Sequence, residues 1–358
     1  MPLVNTQRMF KKALDGGFAV GAFNVNNMEI VQGIMEAVAA EKAPVILQIS
    51  KGARDYANIA YLKALIDVAV AQYPDIPIAV HCDHGDTVAL CKQCIADGYT
   101  SVMIDGSHYP FDENVRLTKE VCEYAHAQTP YVCVEAELGM LGGIEEDVVG
   151  AADYEENIEK YLTDPDQAAA FWKKTGTDSL AVAIGTSHGA FKFKKAPKLA
   201  FDRIGKIMTT CPGLPLVMHG SSSVPKEFVD KINRFAVIDN SNAPLIAAFA
   251  RAGAGWQQMP QSMGVPEEQI AKAARETAVC KVNIDTDIRM AITASILEVW
   301  ANDNVKAFTW REQGGQGKRP EFNFDPRKYL GPARKAVKEM VARKLHVLNA
   351  AGKADVCS

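Results

Sequence analysis

Residues 77–83 read PIAVHCD and run straight into His84 and Gly85. The segment is apolar and β-branched until it meets a polar cluster at its C-terminal end, which suits a strand covered on both faces whose last residues open onto a rim. Seven further runs have the same build: 18–24 (FAVGAFN), 44–50 (PVILQIS), 101–107 (SVMIDGS), 131–138 (YVCVEAEL), 179–185 (SLAVAIG), 214–220 (LPLVMHG) and 280–286 (CKVNIDT). Each is followed by a segment with helical periodicity, the pattern of buried parallel strands joined by crossover helices. Eight such units predict an α/β fold of the (β/α)8 TIM-barrel type, one domain over residues 1–358. An open doubly wound sheet would want a glycine-rich phosphate loop after the first strand, and residues 22–28 (AFNVNNM) contain no GxGxxG.

Between the runs, residues 27–41 place Ile30, Ile34 and Val38 four apart on one helical face, and Asp164-Pro165 supplies an N-cap and a first-turn proline ahead of 166–174. Two connections, after strands five and seven, exceed the roughly 2 to 6 residues of an ordinary βα loop. Residues 139–163 begin GMLGGIEEDVVGAAD, whose glycines and acidic cluster fit a mobile flap over the strand ends. Residues 221–279 hold two helix-like pieces around an apolar segment suited to a lid or to packing on a neighbour. The stretch 311–326 reads as a surface loop ahead of a final helix at 332–350, and no internal repeat is present beyond the βα alternation.

At 358 residues the chain is long enough for a large core, and 48% hydrophobic with 23% charged residues is ordinary for a soluble globular protein. A net charge of -4 spread along the sequence gives no footprint for nucleic acid or an anionic membrane, so small molecules or further copies of the chain are the expected partners. The first twenty residues lack the apolar core and cleavage site of a secretory signal, and no stretch is long enough to span a membrane, so a cytoplasmic location is expected. Eight scattered cysteines argue for reduced thiols rather than a disulfide scaffold. Cys91 and Cys94 form a lone CxxC in a predicted helix; packing is the simpler reading beside metal or redox use.

Three histidines sit where the third, sixth and seventh strands run out: His84 in HCDHG, His188 in GTSHG and His219 in VMHG. Barrel strands present their C-terminal ends to a common space, so three imidazoles there suit a zinc site with a fourth position open for substrate. Any one of them alone reads more simply as a hydrogen-bonded core histidine. His81 and His108 are at most supporting groups. Asp83, Asp105, Glu135, Glu137, Asp285 and Asp287 gather at the same rim, as bases, acids, further metal ligands or orienting partners for histidines, against the plainer reading of solvated charges at helix starts. Gly189, the run Gly220-Ser221-Ser222-Ser223 and the run Asn283-Ile284-Asp285-Thr286 offer N–H groups and hydroxyls after strands six to eight, a recurrent phosphate cradle in this fold, with Lys192 and Arg289 as countercharge.

The motifs HCDHG, MIDGSH, VEAELGMLGG followed by EED, GTSHG, HG-SSS and NIDTD, in this order, resemble the class II fructose-bisphosphate aldolases nearly end to end, from PLVNTQRMFKKALDGGFAVGAFNVNN to FDPRKYLGPAR. The resemblance implies catalytic zinc on His84, His188 and His219, Asp83 as acid/base, Asp105 and Glu137 on a second or alternative divalent metal, and Glu145 of the flap, or its neighbour Glu146, in proton transfer. It implies reversible cleavage of fructose 1,6-bisphosphate to dihydroxyacetone phosphate and glyceraldehyde 3-phosphate through a metal-stabilised enediolate, in glycolysis, gluconeogenesis or the Calvin cycle. Asn24, Ser50, Gly189, Lys192, Gly220, Ser221, Ser222 and Asn283 through Thr286 would hold the substrate. Arg289 would reach the distal phosphate from a neighbouring subunit of a homodimer or homotetramer, and a monovalent cation is a further expectation. The chain departs from the family in carrying Gly220-Ser221-Ser222-Ser223 where many members have Gly-Gly-Thr/Ser-Gly. Tagatose or sedoheptulose bisphosphate is the nearest alternative substrate. A Schiff-base aldolase is disfavoured because 179–185 holds no lysine, and a silent scaffold because no zinc ligand is lost.

Overall fold

The computed structural model describes residues 3–145, 148–149, 154–189, 193, 196–235, 263–300 and 325–357. Eight parallel strands close into a barrel: β1 (Val20–Asn24), β2 (Val45–Ile49), β3 (Ile78–Gly85), β4 (Ser101–Ile104), β5 (Cys133–Leu138), β8 (Ser179–Val182), β9 (Leu216–Met218) and β10 (Val279–Ile284). They neighbour one another in chain order, and β10 returns to pair with β1, Val20 opposite Lys281 and Phe23 opposite Ile284. Each barrel strand overlaps one of the eight apolar runs, β3 continuing past its run to Gly85 and β10 starting one residue early at Val279. The other two, β6 (Ile144–Glu145) and β7 (Val148–Val149), form a small antiparallel hairpin outside the barrel, in the long connection after β5.

Two layers of packing account for the strand composition. Residues such as Val45, Val102, Val134 and Ile284 point outward and share one large hydrophobic cluster with the inner faces of the helices. Inside the barrel Met103, Ala181 and Val217 form a separate apolar cluster. The interior above it is polar and buried: Gln48, His81, Asp83, Glu135, Glu137, Lys281 and Asn283. Strand alternation puts these groups on the inner face while their chain neighbours seal the outer one.

The helices follow local chemistry. Asn27 caps the helix Met28–Glu41 by accepting from the Ile30 N–H at 2.9 Å, and Ile30, Ile34 and Val38 are buried along it. Asp164 caps Pro165–Thr175 by accepting from the N–H groups of Asp166 and Gln167. The final helix differs from expectation: it runs Arg327–Val347, so Pro332 lies inside it rather than at its start. That turn is exposed, so the Lys328 carbonyl that loses its intrahelical donor can be hydrated. The connection after β9 contains helices Lys226–Phe235 and Glu267–Glu276; the apolar segment between them and most of the 311–326 stretch lie outside the described residues. All eight cysteines are free and buried, Cys91 and Cys94 inside the helix Val88–Ala96, consistent with packing. No described helix is long and apolar enough to cross a membrane.

Candidate active site

Asp83 and His84 lie in an irregularity of β3, whose register with β4 shifts between Cys82 and Gly85. In a regular strand successive side chains face opposite sides. Here His84 takes a left-handed backbone conformation, φ 47°, which lets its imidazole join the rim alongside Asp83. His84 Nδ1 bonds Asp105 Oδ2 at 2.8 Å, which leaves Nε2 aimed at His219 Nδ1, 2.9 Å away. His219, just past β9, is anchored at its other nitrogen: Nε2 lies 2.9 Å from Glu135 Oε1. The His188 ring stands 5.2 Å from that of His84 and 6.1 Å from that of His219, centroid to centroid.

The ligand nitrogens of these three histidines all lie within 4.8 Å of one another. A tetrahedral zinc with Zn–N bonds of about 2.0–2.1 Å wants its nitrogens about 3.4 Å apart, which this cluster can meet. Burial holds the His219 pKa below the ordinary histidine value despite the Glu135 hydrogen bond, so the ring is available as a neutral ligand. Carboxylates on the far nitrogens of His84 and His219 form the orienting arrangement metal-binding histidines commonly use. A second group, His84, Asp105 and Glu137, also meets the 4.8 Å criterion. The residues present therefore fit a divalent metal.

Three amides surround Asp83, which is buried. Its Oδ2 accepts from Asn24 Nδ2 at 2.8 Å and Gln48 Nε2 at 3.2 Å, and its Oδ1 from Asn283 Nδ2 at 3.2 Å. Asn24 and Ser50 also line a cleft with Asn26, Gly52, Tyr56 and Arg289 beside this carboxylate. Arg289 is paired with Asp285 at 2.7 Å, and Asp285 precedes the helix Thr286–Val299 at the end of β10.

On the opposite side, Gly189 and Gly220 both have positive φ, and a Cβ at Gly220 would stand 2.6 Å from the Ser187 carbonyl oxygen. Only glycine lets the two loops approach this closely. Ser221 donates its hydroxyl toward the carbonyls of Met218 and His219, and Ser222 Oγ accepts from the Asp287 N–H at 3.4 Å. Ile284, the last residue of β10, is buried.

Some expected residues stand elsewhere. Asp287 does not join the histidine rim; it is buried among Ser223, Val224 and Lys344. His108 is exposed against the Tyr109 ring. The Glu145 backbone belongs to β6, but its side chain, Glu146 and Lys192 lie outside the described residues. Sequence reading missed Gln48 and Lys281. Lys281, fully buried inside the barrel, bonds both Glu135 oxygens at 3.0 and 2.8 Å and lies 3.0 Å from His81 Nε2, whose Nδ1 meets Ser101 Oγ. Burial, reinforced by that ammonium, pushes the His81 pKa well down, so the pair does not oppose two positive charges. The available signal was a polar residue at an inward position of an otherwise apolar strand, as in VILQI and VCKVNI.

The sequence model of the family described as fructose-bisphosphate aldolase class-II matches residues 4–353. The chain belongs to the class II fructose-bisphosphate aldolases. A fructose-bisphosphate aldolase of Giardia intestinalis is 48% identical over 356 residues, covering 99% of this chain and 95% of that protein. One from Treponema pallidum is 44% identical, covering 98% of each. Among solved structures, the YdjI aldolase of Escherichia coli K12 shares 26% identity at a TM-score of 0.69, covering 98% of this chain and 99% of its own. The Campylobacter jejuni fructose-bisphosphate aldolase, 18% identical at a TM-score of 0.68 with coverage of 98% and 96%, shares the fold. As a member of its family the enzyme is a carbon–carbon lyase that cleaves fructose 1,6-bisphosphate.

Proposed function

We propose that cleavage takes place at the rim of β3, with His84, His188 and His219 holding one zinc ion and Asp83 moving the proton. The observation that carries this reading is the bulge in β3, which sets a carboxylate fixed by three amides next to the first residue of a three-histidine cluster. A metal ion on these imidazoles supplies Lewis-acid stabilisation of the negative charge that develops as the C3–C4 bond breaks. Asp83 takes the proton from the C4 hydroxyl, and Asn24, Gln48 and Asn283 hold its oxygens in place for that transfer. Asp105 and Glu137, beside His84, serve a second divalent ion.

The two phosphates occupy opposite ends of this rim. Gly189, Gly220, Ser221, Ser222 and the start of the helix Thr286–Val299 hold the ketose phosphate, where a helix N-terminus and close-packed loops present N–H groups to an anion. Asn283, Ile284, Asp285 and Thr286 connect that end to the reacting carbons, and a monovalent cation there would offset further charge. Asn24, Ser50 and Arg289 line one cleft, and Arg289 reaches the distal phosphate of a neighbouring subunit. Lys192 adds countercharge, and Glu145 or Glu146 on the connection after β5 returns a proton to the ketose fragment. The products are dihydroxyacetone phosphate and glyceraldehyde 3-phosphate, in glycolysis, gluconeogenesis or the Calvin cycle, from one barrel domain working as a cytoplasmic homodimer or homotetramer.

The test is a coupled cleavage assay on the purified enzyme, after EDTA, after zinc is restored, and after borohydride. Activity should vanish with chelator, return with zinc and survive borohydride; a loss to borohydride alone would overturn the histidine assignment. Asp83→Ala should keep its zinc while kcat falls about 10²- to 10⁴-fold, the usual worth of a general base. Tagatose and sedoheptulose bisphosphates run alongside define the substrate range.

A further inference from the structure

The loop after β9 is tied down from behind. Asp287, in the first turn of the helix Thr286–Val299, turns both carboxylate oxygens onto it: Oδ2 accepts from the Ser223 N–H at 2.9 Å and its hydroxyl at 3.2 Å, and Oδ1 accepts from the Val224 N–H at 2.9 Å. Lys344, from the C-terminal helix Arg327–Val347, places its ammonium 2.8 Å from Asp287 Oδ2, donates to Ser223 Oγ at 2.6 Å and pairs with Glu267 at 2.9 Å. Lys344 and Asp287 are 1% and 0% exposed, so neither charge is shared with solvent. Val224, which these bonds secure, has φ 50°, a costly conformation for a β-branched residue that persists only where its surroundings impose it. From the other side Gly264 presses so closely that a Cβ there would meet the Ser222 oxygen and Ser223 carbon.

We propose that Lys344 is a positioning residue for phosphate binding: with Asp287 it locks loop 220–224 in the form that receives a phosphate monoester. This rests on the assignment of that loop to the ketose phosphate. The loop's serines make the clamp necessary. Ser221, Ser222 and Ser223 all bond their hydroxyls inside the protein. Backbone N–H groups must then be aimed by restraint of the loop, and the bonds Asp287 makes to Ser223 and Val224 restrain it. Two loop N–H groups alone would leave a buried carboxylate with a full charge, so the ammonium is what makes the arrangement tenable. Burial opposes the ionised form of Asp287, yet Lys344 and the two N–H donors hold its pKa below the ordinary aspartate value.

The experiment is steady-state kinetics of the zinc-loaded enzyme with fructose 1,6-bisphosphate, with inorganic phosphate as competing anion, for wild type, Lys344→Met, Lys344→Arg and the double variant Lys344→Met/Asp287→Asn. The double variant removes the pair without stranding a buried charge and so reports even where the single variant does not fold. Expected in Lys344→Met and the double variant are a KM and an inhibition constant for phosphate raised ~10-fold or more, with zinc content and kcat near wild type, the mark of lost ground-state binding. Lys344→Arg should recover part of the loss. A wild-type KM and phosphate constant in either soluble variant, or a rise that only follows loss of zinc, would overturn the clamp. Failure of phosphate to compete in the wild type would instead overturn the assignment of the loop itself.

Discussion

At the scale of single residues, the candidate site is organised by what stands behind its histidines. His219 presents Nδ1 to the cluster because Glu135 holds Nε2, and Glu135 is held by Lys281, whose ammonium is the buried countercharge of the barrel interior. Replacing Glu135 by Gln, or Lys281 by Met, should therefore weaken zinc binding by about 10- to 100-fold while the fold persists. Competition against a chromophoric chelator measures this directly, and unchanged zinc affinity in both variants would mean that His219 orients itself. Asp83 shows the limit of reading residues one at a time. HCDHG puts Asp83 and His84 side by side in the chain, but the bulge and the φ of 47° at His84 decide that two consecutive residues reach the same rim.

At the scale of elements, close approach between loops carries the design. Gly220 is left-handed and packed against the Ser187 carbonyl, so Gly220→Ala must either move the loop after β9 or displace the one carrying His188. The expected cost is about 1–3 kcal/mol of stability, seen in the urea midpoint, together with a higher KM for fructose 1,6-bisphosphate. A wild-type midpoint and KM would show that the two loops do not constrain each other. The elements themselves were legible: β-branched runs read as strands, and Asn27 and Asp164 as caps, because these depend on neighbours in sequence. The start of the final helix was less so. Pro332 is a strong local stop signal, and it is outweighed where the helix packs Ala333, Val337, Met340 and Val341 into the protein.

For the whole molecule, charges buried between distant elements link stability to pH. Asp287 and the half-buried Glu267 both have folded pKa values below the ordinary 3.8 and 4.5, because the contacts of Lys344, joined at Glu267 by Arg343, outweigh a burial cost that acts the other way. Depressed carboxyl values contribute stability that is complete above those ordinary values and is lost as pH falls through the folded ones. Thermal unfolding in constant zinc should therefore weaken steeply below about the ordinary carboxylate range, and more gently in Lys344→Met; parallel acid slopes for the two proteins would contradict this linkage.

The amino-acid sequence by itself determined the eight-strand periodicity, the chemistry available at each strand end and the membership of a family whose motifs lie in short contiguous blocks, because strand period, turn composition and motif are all properties of neighbours along the chain. The tertiary structure decided the rest. Lys281 meets Glu135 across 146 residues, and Lys344 bonds Ser223 across 121. Asp287, which in sequence is one more acidic residue at a strand end, becomes the buried partner of a lysine on the last long helix. Such pairings cost desolvation that only a closed barrel, with its helices packed around it, imposes and repays.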